Sequence, residues 1–119
     1  MIKRIFQYLQ ATPNFGIFFN GSSDLIAYTD SDRGGDAITG HSTSGVLVMR
    51  RNPIIWYTQK QRLVATSTAK AEYRAAVSSI DDICWLRRLG KEFGILNTNK
   101  PTILCIDNQS AIHMLQNYP

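Results

Sequence analysis

Two cysteines and two histidines in 119 residues leave little for soft-metal or redox chemistry. Cys84 and Cys105 lie far apart, with no CxxC spacing and no histidine partner. That leaves no disulfide framework and no zinc-finger spacing, and it fits a reducing compartment, where no disulfide-linked partner is expected. Both thiols are expected as buried structural cysteines, the usual fate of that side chain. No apolar run approaches the ~18 residues that a membrane span needs, and no signal peptide opens the chain, so no membrane partner is expected. Neither GxxxxGKS/T nor GxGxxG occurs, so Gly34-Gly35 is a flexible turn rather than a phosphate loop. Ser42-Thr43-Ser44-Gly45 has no Ser-His-Asp arrangement around it, although its hydroxyls and amides suit a phosphate. His41 and His113 are expected at the surface or in caps. Repeats and low-complexity segments are absent. With 44% hydrophobic and 18% charged residues the chain is globular in composition, and its length suits one small domain.

Acid is missing from one whole stretch. Between residues 37 and 71 there is no Asp or Glu, yet Arg50, Arg51, Lys60, Arg62 and Lys70 fall there. That segment carries +5 of a formal net charge of +4, and the remainder sums to −1. Asp24, Asp30, Asp32 and Asp36 cluster just before it. An acidic focus beside a basic stretch fits a polyanion handled near a cation, or more simply a polar turn beside a solvated basic loop.

Ile2, Ile5, Phe6 and Leu9 follow i, i+3, i+4, i+7, the stripe of a short helix that Pro13 ends. Residues 15–19 read as a short strand and residues 20–23 as a turn. Residues 25–29, 44–49 and 54–58 read as strands forming an antiparallel meander, with a hairpin turn at residues 50–53. Trp56, Tyr57 and Trp85 are expected in the core. Residues 68–93 form the longest helical pattern, closed by Gly94. The apolar run 102–106 suits a strand covered on both faces, and residues 108–116 a helix capped by Asp107 or Asn108. The order predicts an α/β fold: a three-stranded antiparallel meander plus a parallel strand after a crossover helix.

Asp30 and Asp107 each follow an apolar strand, so parallel neighbours would bring both to one carboxyl-terminal sheet edge. Glu72 shares a helical face with Ala76, Ser79 and Ile83, the face that should meet the sheet. A buried carboxylate is costly unless paired, and a divalent cation would answer both that cost and the repulsion among three acids. Taken singly, Asp30 is also a turn former, Asp107 a helix cap, and Glu72 a partner for an arginine.

The ordered motifs YTDSDRGGD (28–36), HSTSG (41–45), IIWYTQKQ (54–61), ATSTAKAEY (65–73), WLRRL (85–89) and CIDNQSA (105–111) resemble the ribonuclease H domain of copia-type LTR retrotransposon polyproteins. The similarity covers nearly the whole chain. It implies an RNase H-like fold and Mg²⁺-dependent cleavage of the RNA strand of RNA–DNA hybrids during reverse transcription. Asp30, Glu72 and Asp107 would be three carboxylates of a two-metal site, with Mn²⁺ as the substitute ion. Ser42, Thr43, Ser44, Arg50, Arg51, Lys60, Arg62, Asn108 and Gln109 fall where hybrid contacts would be expected. Residues 1–20 resemble the tail of the preceding reverse-transcriptase region, a further partner, and residues 21–119 the RNase H-like domain. The setting implied is intracellular: cytoplasm or retroelement particles, with the nucleus as the alternative.

The chain departs from the family's usual YSDADWAGD, with Arg33 in place of Trp, and from SSTEAEY, with Lys70 in place of Glu. The family also continues into a HID-containing stretch that supplies a fourth carboxylate, so the domain is expected to be incomplete at the C-terminus, lacking a final strand and helix. The alternative to an active nuclease is a catalytically impaired retroelement remnant that at most binds nucleic acid. An integrase or junction-resolving nuclease would use similar carboxylates, but the six-motif order disfavours it.

Overall fold

A computed structural model describes residues 2–18 and 24–117. The elements run α1 (Ile2–Ala11), β1 (Ile26–Asp32), β2 (Thr43–Arg50), β3 (Asn52–Lys60), α2 (Thr68–Glu92), β4 (Ile103–Ile106) and α3 (Gln109–Gln116). The strands form one sheet in the order β3-β2-β1-β4, antiparallel except for the parallel pair β1–β4. This is the expected α/β arrangement of a meander and a parallel strand joined through a helical crossover, consistent with an RNase H-like fold.

The core lies on one face of the sheet. Alternation along β1 and β2 sends Ala27, Val46 and Val48 toward α2, where they meet Ile83 and Leu86, with Leu25 at the margin. The sheet-facing stripe of α2 begins with small side chains, Ala71, Ala75, Ala76 and Ser79, all fully buried, so the helix backbone approaches the strands closely. Ser67 caps α2 by accepting from the Lys70 N–H at 3.2 Å. Past the helix, Arg87 holds the return to β4, donating to the Thr98 and Lys100 carbonyls at 2.6 and 2.8 Å.

Several expectations change. β1 runs on through Asp32, so Asp30 lies within the strand, because Asp30, Ser31 and Asp32 keep pairing with Gly45, Ser44 and Thr43. The β2–β3 turn narrows to Arg51 alone, at φ 64°, with Pro53 tolerated on an edge strand beside a bulge at Val48/Met49. β4 is an edge strand with Ile103 exposed, not a strand covered on both faces. Residues 15–18 form no strand, and Phe19 and the turn at residues 20–23 lie outside the described residues.

The second face of the sheet carries Tyr28, Leu47, Trp56 and Cys105, and no described helix packs on it. Trp56 is therefore exposed, as is Trp85 on the outer side of α2, and only Tyr57 packs against the core. Cys84 is exposed and Cys105 half-buried, so neither is the buried thiol expected. α1 forms as its stripe predicts but meets no other described element, leaving Ile2, Ile5, Phe6 and Leu9 exposed. Among the described residues no helix is long and apolar enough to cross a membrane.

Gly90 gives a test of the α2–loop junction. A Cβ there would overlap the Leu96 side chain, and the Gly90 carbonyl accepts from the Ile95 and Leu96 N–H groups at 2.9 and 3.1 Å, so Leu96 is held in place. Gly90→Ala should gain about 1 kcal/mol in helix propensity and lose about 1–3 kcal/mol to overpacking. The expected net result is a lower urea midpoint at unchanged m-value; a raised midpoint would refute the close packing.

Candidate metal centre

The site is built by the end of β4. Parallel pairing of β1 and β4 stops at Thr29 opposite Ile106, so Asp107 leaves β4 beside Asp30 of β1. Asp107 is held between the strand end and Asn108, which caps α3 by accepting from the Ala111 N–H at 3.0 Å. Glu72, in the second turn of α2, is 3% exposed. Its Oε1 accepts from the Ser31 N–H at 3.2 Å. Ser31 lies beyond the last β4 partner, and a strand N–H points within the sheet plane. Glu72 thus places its carboxylate at the edge where β4 has ended, and there it meets the two aspartates. One oxygen from each of Asp30, Glu72 and Asp107 lies within 4.8 Å of the other two.

Burial, above all, pushes the Glu72 carboxyl up from its ordinary value; Ser31 opposes the shift, and the charges of Asp107 and Asp30 add to it. Glu72 Oε2 is buried and makes no hydrogen bond within the protein, and the same holds for Thr29 Oγ1, Ser31 Oγ and Gln61 Oε1. Three hard oxygen donors from three separate elements, one of them with an unanswered buried lone pair, fit a hard divalent cation such as Mg²⁺, Mn²⁺ or Ca²⁺, and lack the N or S ligands that zinc favours. The cluster could hold such an ion.

The other candidate residues separate. Ser42 is fully buried and accepts from the Gly34 N–H at 3.2 Å; Ser44 is buried and accepts from Gln61 Nε2 at 2.9 Å. Both hydroxyls hold the protein together, with Thr43 half-buried between them. Lys60 pairs with Thr43, at the carboxylate end of the sheet, and Arg62 follows it. Lys60 forms an ion pair with Asp36, which holds the Asp36 carboxyl far below the usual range, helped by hydrogen bonds from Thr39 and Ile38. Arg50 and Arg51 sit at the opposite end: five residues separate Gly45, which faces Asp30, from Arg50, or roughly 17 Å along the strand. Arg50 donates instead to the Ile95 carbonyl at 2.6 Å. Asn108 is spent on its cap, whereas Gln109 is exposed. Arg33 donates to the Thr66 carbonyl at 3.3 Å, tying the loop after β1 to the segment that leads into α2. A shallow groove of about 880 Å³ along the uncovered sheet face, lined by Tyr28, Leu47, Trp56 and Cys105, ends at Asp30 and Asp107.

The sequence is 39% identical over 119 residues to the retrovirus-related Pol polyprotein from transposon RE1 of Arabidopsis thaliana, 36% to that from transposon RE2 of the same plant, and 35% over 118 residues to that from transposon TNT 1-94 of Nicotiana tabacum. Each match covers 98% of this chain but only 8–9% of the relative, so the chain spans under a tenth of the proteins it resembles. These likenesses support a retroelement-derived region, a stretch of Pol-type sequence. No family model matches the chain, and no solved structure matches it.

The Glu72 environment predicts a pH-dependent difference in stability. With its pKa raised in the folded state above the ordinary 4.5, native Glu72 binds more proton than it does unfolded, so stability falls as pH rises through that range. Without added metal, Glu72→Gln keeps an acceptor for Ser31 and should melt at a higher temperature than wild type at pH 7. The gain should vanish below about pH 4, where Glu72 is protonated in both states. A variant less stable than wild type at pH 7 would contradict the buried, unpaired carboxylate.

Proposed function

We propose that this chain is the ribonuclease H region of a copia-type retrotransposon polyprotein and hydrolyses the RNA strand of RNA–DNA hybrids. The observation that carries the reading is the meeting of Asp30, Glu72 and Asp107, from β1, α2 and the end of β4, within 4.8 Å. The six-motif resemblance and the likeness to transposon Pol polyproteins support it.

Asp30, Glu72 and Asp107 would hold Mg²⁺, with Mn²⁺ as the substitute. Two such ions, when bound, supply an activated water and neutralise the leaving oxygen of a phosphodiester. The chain's own part is orientation. Glu72, locked by burial and the Ser31 N–H, fixes one donor, while the exposed Asp30 and Asp107 present theirs at an open sheet edge. Lys60 and Arg62 stand at that same end and suit contacts to a hybrid backbone; the exposed Gln109 begins α3 beside Asp107. Residues 1–20 are read as the tail of the reverse-transcriptase region. The exposed apolar stripe of α1, which meets nothing else described, suits packing on that neighbour.

A second reading is a catalytically impaired remnant. Lys70 favours it, because an exposed cation in the first turn of α2 opposes the helix dipole two residues before Glu72.

The deciding experiment incubates the chain with an RNA–DNA hybrid carrying labelled RNA, in Mg²⁺ or Mn²⁺, with single-stranded RNA and duplex DNA as controls. Divalent-dependent cleavage of the hybrid alone is expected. Asp30→Asn should reduce it at least about a hundredfold, since metal ligation is worth several kcal/mol of transition-state stabilisation. Hybrid binding without cleavage would establish the remnant, and cleavage of duplex DNA would point to another nuclease class.

A further inference from the structure

We propose that Gln61 is a positioning residue for Glu72, setting through one amide group where α2 places its carboxylate at the metal centre; this rests on the metal-centre reading above. Gln61 directly follows β3 and is 8% exposed. Its backbone N–H donates to the Ser42 carbonyl at 2.7 Å, extending the β2–β3 ladder, so the residue is anchored to the sheet. Its side chain turns toward α2. Nε2 donates both to Ser44 Oγ and to the Ala71 carbonyl, each at 2.9 Å. Ala71 immediately precedes Glu72.

These contacts close a circuit across three elements. Ser44 stands opposite Ser31 in the β1–β2 register, and the Ser31 N–H holds Glu72 Oε1 at 3.2 Å. From Gln61 the path therefore runs through Ala71 to Glu72, across to Ser31, over to Ser44 and back. Two points fix the Glu72 carboxylate: the Ser31 amide at its tip and the Gln61 amide at its base. The Ala71, Ala75, Ala76 and Ser79 stripe lets α2 lie close to the sheet, but small smooth side chains resist sliding or rotation poorly. The Gln61 bridge supplies a directional stop just where the ligand departs from the helix.

Packing alone does not account for a glutamine here. Gln61 Oε1 is buried without a protein partner, a cost that an apolar side chain of similar volume would avoid. What glutamine provides and methionine or leucine cannot is the pair of donated bonds. Residues that orient metal ligands without touching the ion commonly change metal affinity 10–100-fold when replaced.

The test compares the full chain with Gln61→Met. Mn²⁺ titration by calorimetry should show Kd raised about tenfold, while the melting temperature of the metal-free variant changes little, because relief of the unpartnered Gln61 Oε1 is offset by loss of the bond to the buried Ser44 hydroxyl. In a Glu72→Gln background Gln61→Met should have no further effect on Kd. In the metal-free protein the Ser31 amide resonance should move and exchange faster, while the Ala27 amide of the same strand stays put. Gln61→Leu likewise removes both donated bonds and should reproduce each result, and it carries the test if Gln61→Met does not fold. A Kd within twofold of wild type overturns the proposal, as does an equal Kd increase in the Glu72→Gln background. Should wild type bind no Mn²⁺, the metal-centre reading fails and the Ser31 amide decides alone: unmoved, it overturns the positioning role; moved with Ala27 unchanged, it upholds it.

Discussion

Glu72 is taken out of water between α2 and the sheet edge, and the Ser31 N–H donates to its carboxylate. Burying a carboxylate with one hydrogen bond and two like charges beside it is unfavourable, so other features must hold it there. The small side chains of α2 bring the helix against the strands, and the core contacts of Ile83 and Leu86, about three and four turns beyond Glu72, keep it there. β4 matters equally. Because its parallel pairing ends at Ile106, the Ser31 N–H is left for Glu72 and the space beyond is left for Asp107. A β4 longer by two residues would give that N–H a strand carbonyl and remove the site.

The same one-sidedness shapes the rest of the molecule. Leu25, Ala27, Val46 and Val48 face α2, and the opposite face keeps Tyr28 and Trp56 in solvent. A small domain with its core on a single sheet face buries a modest share of its surface, so directional contacts carry more weight. They occur at the margins: Arg87 on the loop to β4, Arg33 on the segment leading into α2, and Tyr57, whose hydroxyl donates to Asp82 at 2.9 Å across the β3–α2 contact. The basic stretch that dominates the charge pattern is likewise divided by the hairpin. Lys60 and Arg62 return to the carboxylate end, while Arg50 and Arg51 are carried to the far one.

Periodicity made the α2 face legible, because a carboxylate in register with Ala76, Ser79 and Ile83 can only point at the sheet. The parallel relation of β1 and β4 followed from the helical crossover, and with it the pairing of Asp30 and Asp107. Other features were not legible, for a shared reason: a pattern reports which residues lie on one face, not whether anything covers that face. Hence Trp56, Trp85, Cys84 and the edge strand β4 are more exposed than their composition implied. Charge counting failed similarly for Arg50 and Arg51, since a net +5 does not reveal that a hairpin separates its members. Gln61 closes the IIWYTQKQ motif, yet nothing in the pattern pointed to its inward side chain, because a polar residue between a strand and a loop ordinarily faces water.

The three carboxylates are not equivalent, and the difference lies in what screens them. Asp30 and Asp107 are exposed, so the high dielectric of water weakens their mutual repulsion. Glu72 is not, and desolvation rather than its neighbours' charge is the main cause of its raised pKa. Without a cation, the strain of bringing three acids together is therefore concentrated on the one residue whose side chain cannot move away. Its backbone is fixed by α2, that of Asp30 by a continuous strand, and that of Asp107 by a strand end and a helix cap. With the backbones set in advance, only the Asp30 and Asp107 side chains keep freedom to adjust. One locked donor and two adjustable ones suit a cation that demands near-octahedral geometry, because the fixed oxygen defines where the ion sits and the free ones complete the shell.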